Sequence, residues 1–303
     1  MRVIMNVYVL FLILCVLTVC SLFIGVSRVP ITELFQFNAH QLNILWASRI
    51  PRTVSILISG SALALAGLIM QQMMQNKFVS PTTAGTMEWA KLGILISLIF
   101  FPKQHILLKL VFAVLCSLFG TFMFVQIVQR IKFKDVIFVP LIGIMLGGIV
   151  SSFATFIALR TNAVQSIGNW LNGNFAIITS GRYEVLYLSI PLLILTYIFA
   201  NQFTIAGMGR DFSKNLGLNY EWIMNIGLFI TATMTALVVV TVGTLPFLGL
   251  IVPNIVSIFK GDHLKNALPQ TAILGAIFVM ISDIFGRLIA VSYTHLRAHE
   301  TAL

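Results

Sequence analysis

Val54-Ser-Ile-Leu-Ile-Ser-Gly60-Ser-Ala-Leu-Ala64-Leu-Ala-Gly67-Leu-Ile-Met70-Gln-Gln-Met-Met74 runs for 21 residues without a charge. A helix that crosses a bilayer needs roughly 20 apolar residues, because about 30 Å of hydrocarbon must be spanned at about 1.5 Å per residue. Every backbone group must also be bonded within the segment. The stretch meets that requirement. Gly60, Ala64 and Gly67, spaced by four and seven residues, share one face of the helix, where small side chains let a neighbour approach closely. The alternative is that small residues fall there by chance in an apolar helix. Met70, Met73 and Met74 read as packing residues rather than ligands.

Outward from this segment the same pattern repeats. Further apolar stretches fall at 3–24, 84–101, 106–129, 136–159, 184–200, 223–242, 247–259 and 270–290, which makes nine spans with residues 54–74. Val3 to Ile24 is too long for the apolar core of a signal peptide and ends in no small-x-small cleavage site, so it reads as the first span. The eighth is short and follows Gly243-Thr-Leu-Pro246, which points to a broken or half-length helix. With 58% hydrophobic and 9% charged residues and a mean hydropathy of +0.99, the chain is predicted to be an all-α, polytopic transmembrane helical bundle.

The net charge of +10 comes from Lys and Arg scattered singly between apolar runs. That is the distribution of loop and interface charge, not of a nucleic-acid surface, so no nucleic-acid partner is expected. Arg130, Lys132 and Lys134 form the one clear marker of the cytoplasmic side. Cys15, Cys20 and Cys116 lie in apolar segments, far from any His at ligand spacing, and no metal or other cofactor is expected.

Two polar connections are longer than a turn requires. Ala200 to Trp222 has room for two short helices hinged near Gly209 and stopped at Gly217. Thr161 to Tyr183 carries an apolar patch, Trp170, Leu171, Phe175, Ile177 and Ile178, which predicts a surface-lying helix at a cavity mouth.

Several chemistries are missing from the sequence. It contains no phosphate-binding G-x-x-x-x-G-K-[ST] loop, no H-E-x-x-H, no G-x-S-x-G and no cysteine cluster, which argues against an enzyme. Glu33, Glu88, Asp135, Glu184, Asp211, Glu221, Asp262, Asp283 and Glu300 all fall at or near the ends of the expected spans. No midplane carboxylate is therefore expected for ion coupling, which disfavours the main alternative, an ion-coupled secondary transporter of a small solute. Glu88 and Lys91, three apart at the start of the third span, can pair on one face, and the plainest reading of them is an interfacial ion pair.

An ordered set of motifs carries a resemblance. Arg49-Ile-Pro-Arg-Thr53, Gly60 to Gly67 and Gln75-Asn-Lys-Phe-Val-Ser-Pro-Thr-Thr-Ala-Gly85 come first, followed by Gly207-Met-Gly209 through Lys214-Asn-Leu-Gly217. Gly243-Thr-Leu-Pro-Phe-Leu-Gly-Leu-Ile-Val-Pro-Asn254, Gly261-Asp-His263 and Ser282-Asp-Ile-Phe-Gly-Arg287 complete it. Together these resemble the permease subunits of ABC importers for iron–siderophore complexes and cobalamin. Pro253-Asn254 departs from the family's usual Pro-His, and with Ser80-Pro-Thr-Thr-Ala-Gly-Thr-Met-Glu-Trp-Ala-Lys-Leu-Gly93 it is similar to the subgroup for catecholate-type siderophores such as petrobactin.

The resemblance implies ten spans in a bacterial cell membrane with both termini cytoplasmic. It further implies a second permease subunit, identical or related, two ABC ATPase subunits beneath and a siderophore-binding protein outside, all within membrane lipid. It places Arg49, Arg52 and Arg287 where the binding protein docks, although interfacial arginines reaching to headgroups would look the same. It assigns Arg210, Asp211, Ser213, Lys214, Asn215 and Gly217 to the ATPase-coupling loop, and Asn76 and Phe78 to a cytoplasmic gate.

The end of the chain does not fit. Residues 1–291 read as the permease domain, whereas 292–303, Ser-Tyr-Thr-His-Leu-Arg-Ala-His-Glu-Thr-Ala-Leu, are not apolar enough for the tenth span that the resemblance implies. The string resembles translated sequencing-adapter read-through. It is expected to be a non-native replacement of that span.

Overall fold

The computed structural model describes residues 6–24, 43, 45–102, 105–131, 136–164 and 173–300, of which 290–300 by backbone alone. Lys132, Lys134, Trp170 and Leu171 lie outside the described residues, as do the side chains of the 292–303 tail.

Each expected stretch contains helix, though fewer than nine of the described helices are long and apolar enough to cross a membrane alone. Helix α1 (Val7–Phe23) opens at Asn6, whose side chain accepts from the Tyr8 N–H at 3.2 Å. A π-turn at Leu45–Arg49 feeds α2 (Ile50–Met73), with Pro51 in the first turn, where its missing N–H costs nothing. Next come α3 (Thr86–Phe100), α4 (Ile106–Arg130) and α5 (Phe138–Arg160). A 3₁₀ segment, Tyr183–Leu188, leads into α6 (Ser189–Ile198), which bends by 61° into α7 (Ala200–Ala206). The chain continues through α8 (Arg210–Asn215), α9 (Tyr220–Thr241), α10 (Leu248–Lys260) and α11 (Leu264–Glu300).

Length divides these helices. Helices α2, α4, α5, α9 and α11 are long and apolar enough to cross a membrane, and the bent pair α6–α7, with its 3₁₀ lead-in, passes as a sixth span. Helices α1 and α10 are apolar but shorter. The end of the bundle that carries Arg130 is taken as inner from its cluster of basic residues.

Helix α11 starts six residues before the expected boundary. Its first turns carry Lys265, Asn266 and Gln270, which hide a helix from a hydropathy reading but not from the backbone. A second departure concerns the expected surface helix. Its described part is one 3₁₀ turn, Phe175–Ile177, with Phe175 and Ile178 buried rather than lying on the surface. The Asn174 N–H is bonded to the Val242 carbonyl at 2.9 Å, which holds this segment against the end of α9.

The core forms around α2 and α9, the two most enclosed spans. Their polar residues are made compatible with burial locally. Ser55, Ser59, Thr231, Thr235 and Thr241 each donate to the carbonyl four residues earlier in the same helix. Helix α2 is also where backbones come closest. A Cβ on Gly67 would lie 1.8 Å from the Gly249 carbonyl oxygen of α10, and one on Gly60 would lie 2.8 Å from the Ala276 Cα of α11. Ala64 meets Gly275, whose own Cβ would be 2.6 Å away. One small-residue face therefore serves two partner helices.

The connection from α2 to α3 is not a surface loop. Lys77 and Phe78 are exposed at its tip, and from Val79 onward the backbone turns into the bundle. Non-helical backbone is tolerated at depth only when its polar groups are satisfied. Ser80 and Thr83 do this reciprocally: the Ser80 N–H donates to Thr83 Oγ1 at 2.8 Å and the Thr83 N–H to Ser80 Oγ at 3.2 Å. Gly85, at φ +77°, then starts α3 inside the protein.

Candidate functional site

Arg49, Arg52 and Arg287 gather at one end of the bundle, and Asn76, Phe78 and residues 210–217 at the other. At the outer end, Arg52 of α2 donates to Asp283 Oδ1 of α11 through Nε at 3.0 Å and Nη2 at 2.6 Å. Arg287, one turn beyond Asp283, pairs with its other oxygen at 2.8 Å. Arg287 also donates to the Ser21 and Ile24 carbonyls at 2.8 and 2.6 Å, and Arg49 donates to the Leu22 carbonyl. The last carbonyls of α1 carry the negative end of its dipole, so two cations are well placed there. Arg49, Arg52 and Arg287 thus converge, but inward. Arg49 is buried and the Arg287 side chain is 11% exposed, while Arg52 keeps 22%. Asp283 was legible only as part of a motif. Its spacing of four to Arg287 was the available signal.

At the inner end, Asn76 ties two loops together. Its Nδ2 donates to the Val136 carbonyl at 2.8 Å and its Oδ1 accepts from the Phe78 N–H at 2.9 Å. Phe78 stays exposed beside it. Beneath the loop, Lys77 Nζ reaches Asp262 at 3.0 Å and Ser257 Oγ at 2.8 Å, and Asn254 Nδ2 donates to the Lys77 carbonyl at 2.8 Å. Sequence reasoning missed this contact, which joins positions 185 residues apart in no shared motif.

Asp262 titrates away from the usual carboxylate range. Ser257 donates to it at 2.6 Å and, with Lys77, holds its pKa below the ordinary value against the opposing effect of burial. A carboxyl with a depressed folded-state pKa stabilises the fold above its unfolded pKa, near about 4, and that contribution is lost as pH falls through the folded value. Amide exchange at residues 76–79 is therefore expected to speed up as pH is lowered past about 4, once corrected for intrinsic rates. The Asp262→Asn protein should lack that step. Both side chains are more than half exposed, so high salt should weaken the tie as well.

Helices α7 and α8 form the hinged pair at the same end. Gly209 sits between them at φ +110° and Gly217 closes α8 at φ +75°, both conformations that glycine adopts cheaply. Arg210, Asp211, Lys214, Asn215 and Gly217 are exposed. Ser213 is not: it is buried, and its hydroxyl donates to the Ile205 and Gly209 carbonyls at 3.0 and 2.7 Å, clamping α8 to α7. Arg210 pairs with Glu221 at the start of α9. A cavity of about 770 Å³ lies beside this pair, lined by Gln75, Asn76, Gln126 and Gln129 among others. Gln72 Nε2 donates weakly to the Thr204 carbonyl at 3.4 Å, and Thr204 Oγ1 accepts from the Leu264 N–H at 3.2 Å. The hinged pair is thereby connected to α2 and to the start of α11.

Two linked expectations about depth are corrected, that every carboxylate lies near a span end and that Glu88 and Lys91 are interfacial. Glu88 and Lys91 do pair, at 2.6 Å, but at a level well inside the ends of the neighbouring helices rather than beside them. Glu88 lies beside Gly147 of α5, whose Cβ would be 3.3 Å from Glu88 Cγ, and Gly147 stands nine residues from the inner end of that helix. The inward fold of residues 79–85 carries the start of α3 with it, which a linear reading of hydropathy does not register. Among the described residues, no group of three or more His, Cys, Asp or Glu could hold a metal ion.

Comparison with known proteins places this arrangement. The chain is 54% identical over 289 residues to the petrobactin import system permease protein YclN of Bacillus subtilis, covering 95% of this chain and 92% of that one. It is 39% identical to the ferric-anguibactin transport system permease protein FatD of Vibrio anguillarum, over 92% and 89% of the two chains. A solved structure described as a metal-chelate type ABC transporter in an inward-facing conformation matches the fold with a TM-score of 0.78 at 24% identity, over 93% of this chain and 90% of that one. The profile of the FecCD transport family matches residues 12–296. An all-helical bundle built around a small-residue helix, with a hinged pair at one end and relatives of this identity, belongs to the FecCD transport family.

Proposed function

We propose that this chain is the transmembrane permease of an ATP-driven importer of ferric siderophores, of the catecholate-bearing petrobactin type, in the bacterial cell membrane. The observation that carries the reading is the 54% identity, across nearly the whole chain, to a petrobactin import permease. The chain works by alternating access, which needs two helix packings a few kcal/mol apart and no reactive residue. It is a transporter subunit rather than an enzyme. With no phosphate-binding loop of its own, it takes its energy from two separate ABC ATPases.

The ATPases meet the exposed side of α8, through Arg210, Asp211, Lys214, Asn215 and Gly217, while Ser213 acts from inside by holding α8 in place. Asn76 and Phe78 form the inner gate, together with the same loop of a second permease, identical or related. A siderophore-binding protein docks at the outer end. Arg52 is the arginine there with the most exposed side chain of the three, and Arg49 and Arg287 support that surface by fixing α1. Residues 1–291 form the permease, and 292–303 are foreign to it. Resequencing of the locus tests that division, and the same twelve codons followed by a genomic stop would overturn it.

Uptake of labelled ferric siderophore into proteoliposomes, with and without the ATPase, tests the function. Uptake that persists without the ATPase would overturn it in favour of ion-coupled transport. The hinge supplies a prediction. Gly209 combines φ +110° with ψ 161°, a conformation costing an L residue about 1–3 kcal/mol. The Gly209→Ala permease should assemble with its ATPase yet lose uptake by about tenfold, the rate equivalent of 1.4 kcal/mol, while ATP hydrolysis continues.

A further inference from the structure

Glu88 and Lys91 occupy a depth at which charge is costly and is kept for a purpose. Two rulers agree on that depth. Gly147, against Glu88, lies nine residues from Phe138 at the inner end of α5, about 14 Å at about 1.5 Å per residue. Thr86, at the start of α3, is bonded to Thr121 at 2.9 Å, and Thr121 lies nine residues from Arg130 at the inner end of α4, again about 14 Å. In a hydrocarbon core of about 30 Å, both place the pair near the middle.

The pair is not sealed. Lys91 is 12% exposed and Glu88 26%, and a half-open carboxylate at this depth cannot face acyl chains cheaply. Water or protein must lie on the open side. Helix α5 runs alongside the pair. Its face at Gly148, next to the glycine that touches Glu88, is not covered by any other described part of this chain. Ser152 and Thr155 continue that exposed face among Ile149 and Phe156, their hydroxyls donating to their own helix at 2.8 Å. A charged pair this far from the ends of the neighbouring helices, with one open side, beside a face that carries Gly148, Ser152 and Thr155 as well as exposed Ile149 and Phe156, fits the rule that ionisable side chains at membrane depth face a solute path.

We propose that Glu88 and Lys91 form a charged station midway along the translocation path, where Lys91 transiently holds a metal chelate of net negative charge. The inference rests on the reading of the chain as an importer permease. With the path empty, Glu88 neutralises Lys91 and keeps the lone cation from destabilising the bundle. When an anionic chelate arrives, the ammonium is shared with it, and the returning carboxylate helps release it. A hold of this kind must be weak, since a solute bound tightly at mid-path does not leave. It favours anionic chelates over neutral ones by charge rather than by shape.

The test uses the assembled importer in proteoliposomes, with a ferric catecholate chelate of net negative charge loaded on the binding protein. The Glu88→Gln/Lys91→Met double variant removes both charges together, so no lone charge is left to impair folding. It is expected to keep its thermal stability and lose uptake by about tenfold, while Lys91→Arg keeps most of it. Uptake by the folded double variant at the wild-type rate would overturn the proposal.

A second arm needs no transport. In a background with Cys15, Cys20 and Cys116 changed to Ser, Glu88→Cys should react with a membrane-impermeant anionic methanethiosulfonate about tenfold faster than with a cationic one, because Lys91 is left beside it. Ser152→Cys should react with both. A Glu88→Cys protein inert to both reagents, or one favouring the cation, would overturn the station. Absence of uptake by the wild type would count against the importer reading instead, leaving the labelling arm to decide this inference.

Discussion

Replacing Asp283 with alanine is expected to destabilise the permease by about 2–4 kcal/mol and to free α1 from the bundle. Breaking a buried ion pair by removing one partner costs about 3–5 kcal/mol, since the other charge stays behind. Two charges stay behind here. Arg52 is about one-fifth exposed and can recover some hydration, which sets the estimate below the fully buried range. Arg287 cannot recover as readily, and it is also the residue that holds the Ser21 and Ile24 carbonyls. Its displacement should therefore be felt 266 positions away in the sequence, at the end of α1. Thermal unfolding in detergent reads the first effect, and a disulfide trap between the ends of α1 and α11 reads the second. A double-mutant cycle over Arg52→Ala and Asp283→Ala should give a coupling well outside the roughly 0.3–0.5 kcal/mol expected of independent sites.

The Gly67→Ala permease is expected to be less stable by about 3 kcal/mol, at the upper end of what overpacking costs. The added methyl would start 1.8 Å from the Gly249 carbonyl oxygen and 2.5 Å from its Cα, so backbone rather than a flexible side chain must move. Helices α2 and α10 would have to separate, and α2 is central to the core. Gly286→Ala is the matched control, because nothing lies within 4 Å of a Cβ there. That change should be neutral or stabilise α11 by about 0.5–1 kcal/mol through the smaller entropy of the unfolded chain. Equal losses in the two variants would mean that α2 and α10 do not touch at Gly67.

Much of this architecture is legible in the sequence because a membrane makes hydrophobic length explicit. Helix α4, expected at 106–129, spans Ile106–Arg130, and the hinge at Gly209 follows from glycines that interrupt a polar run. What stays hidden depends on contacts between distant residues. Nothing near Lys77 points to Asp262, and Arg52 meets Asp283 across 231 positions. The depth of Glu88 was misread for a related reason. Hydropathy measures distance along the chain, and the connection at 79–85 spends its length going back into the bundle, so a carboxylate near the start of a helix is not near the surface. The three arginines meet at one end of the bundle, but which way they face is set by a single aspartate on another helix.

The shortness of α3 bears on how the protein is made. Its 15 residues include both Glu88 and Lys91, so it is a poor candidate to leave the insertion machinery for lipid alone, where a central Lys or Asp costs about 2.5–3.5 kcal/mol. Helix α4 starts six residues after the end of α3, is charged only at Lys109 and Arg130, and among the described residues packs against α3 more extensively than any other two helices pack together. Biogenesis should therefore wait at α3 until α4 has emerged from the ribosome, and the two should then enter the bilayer as one hairpin.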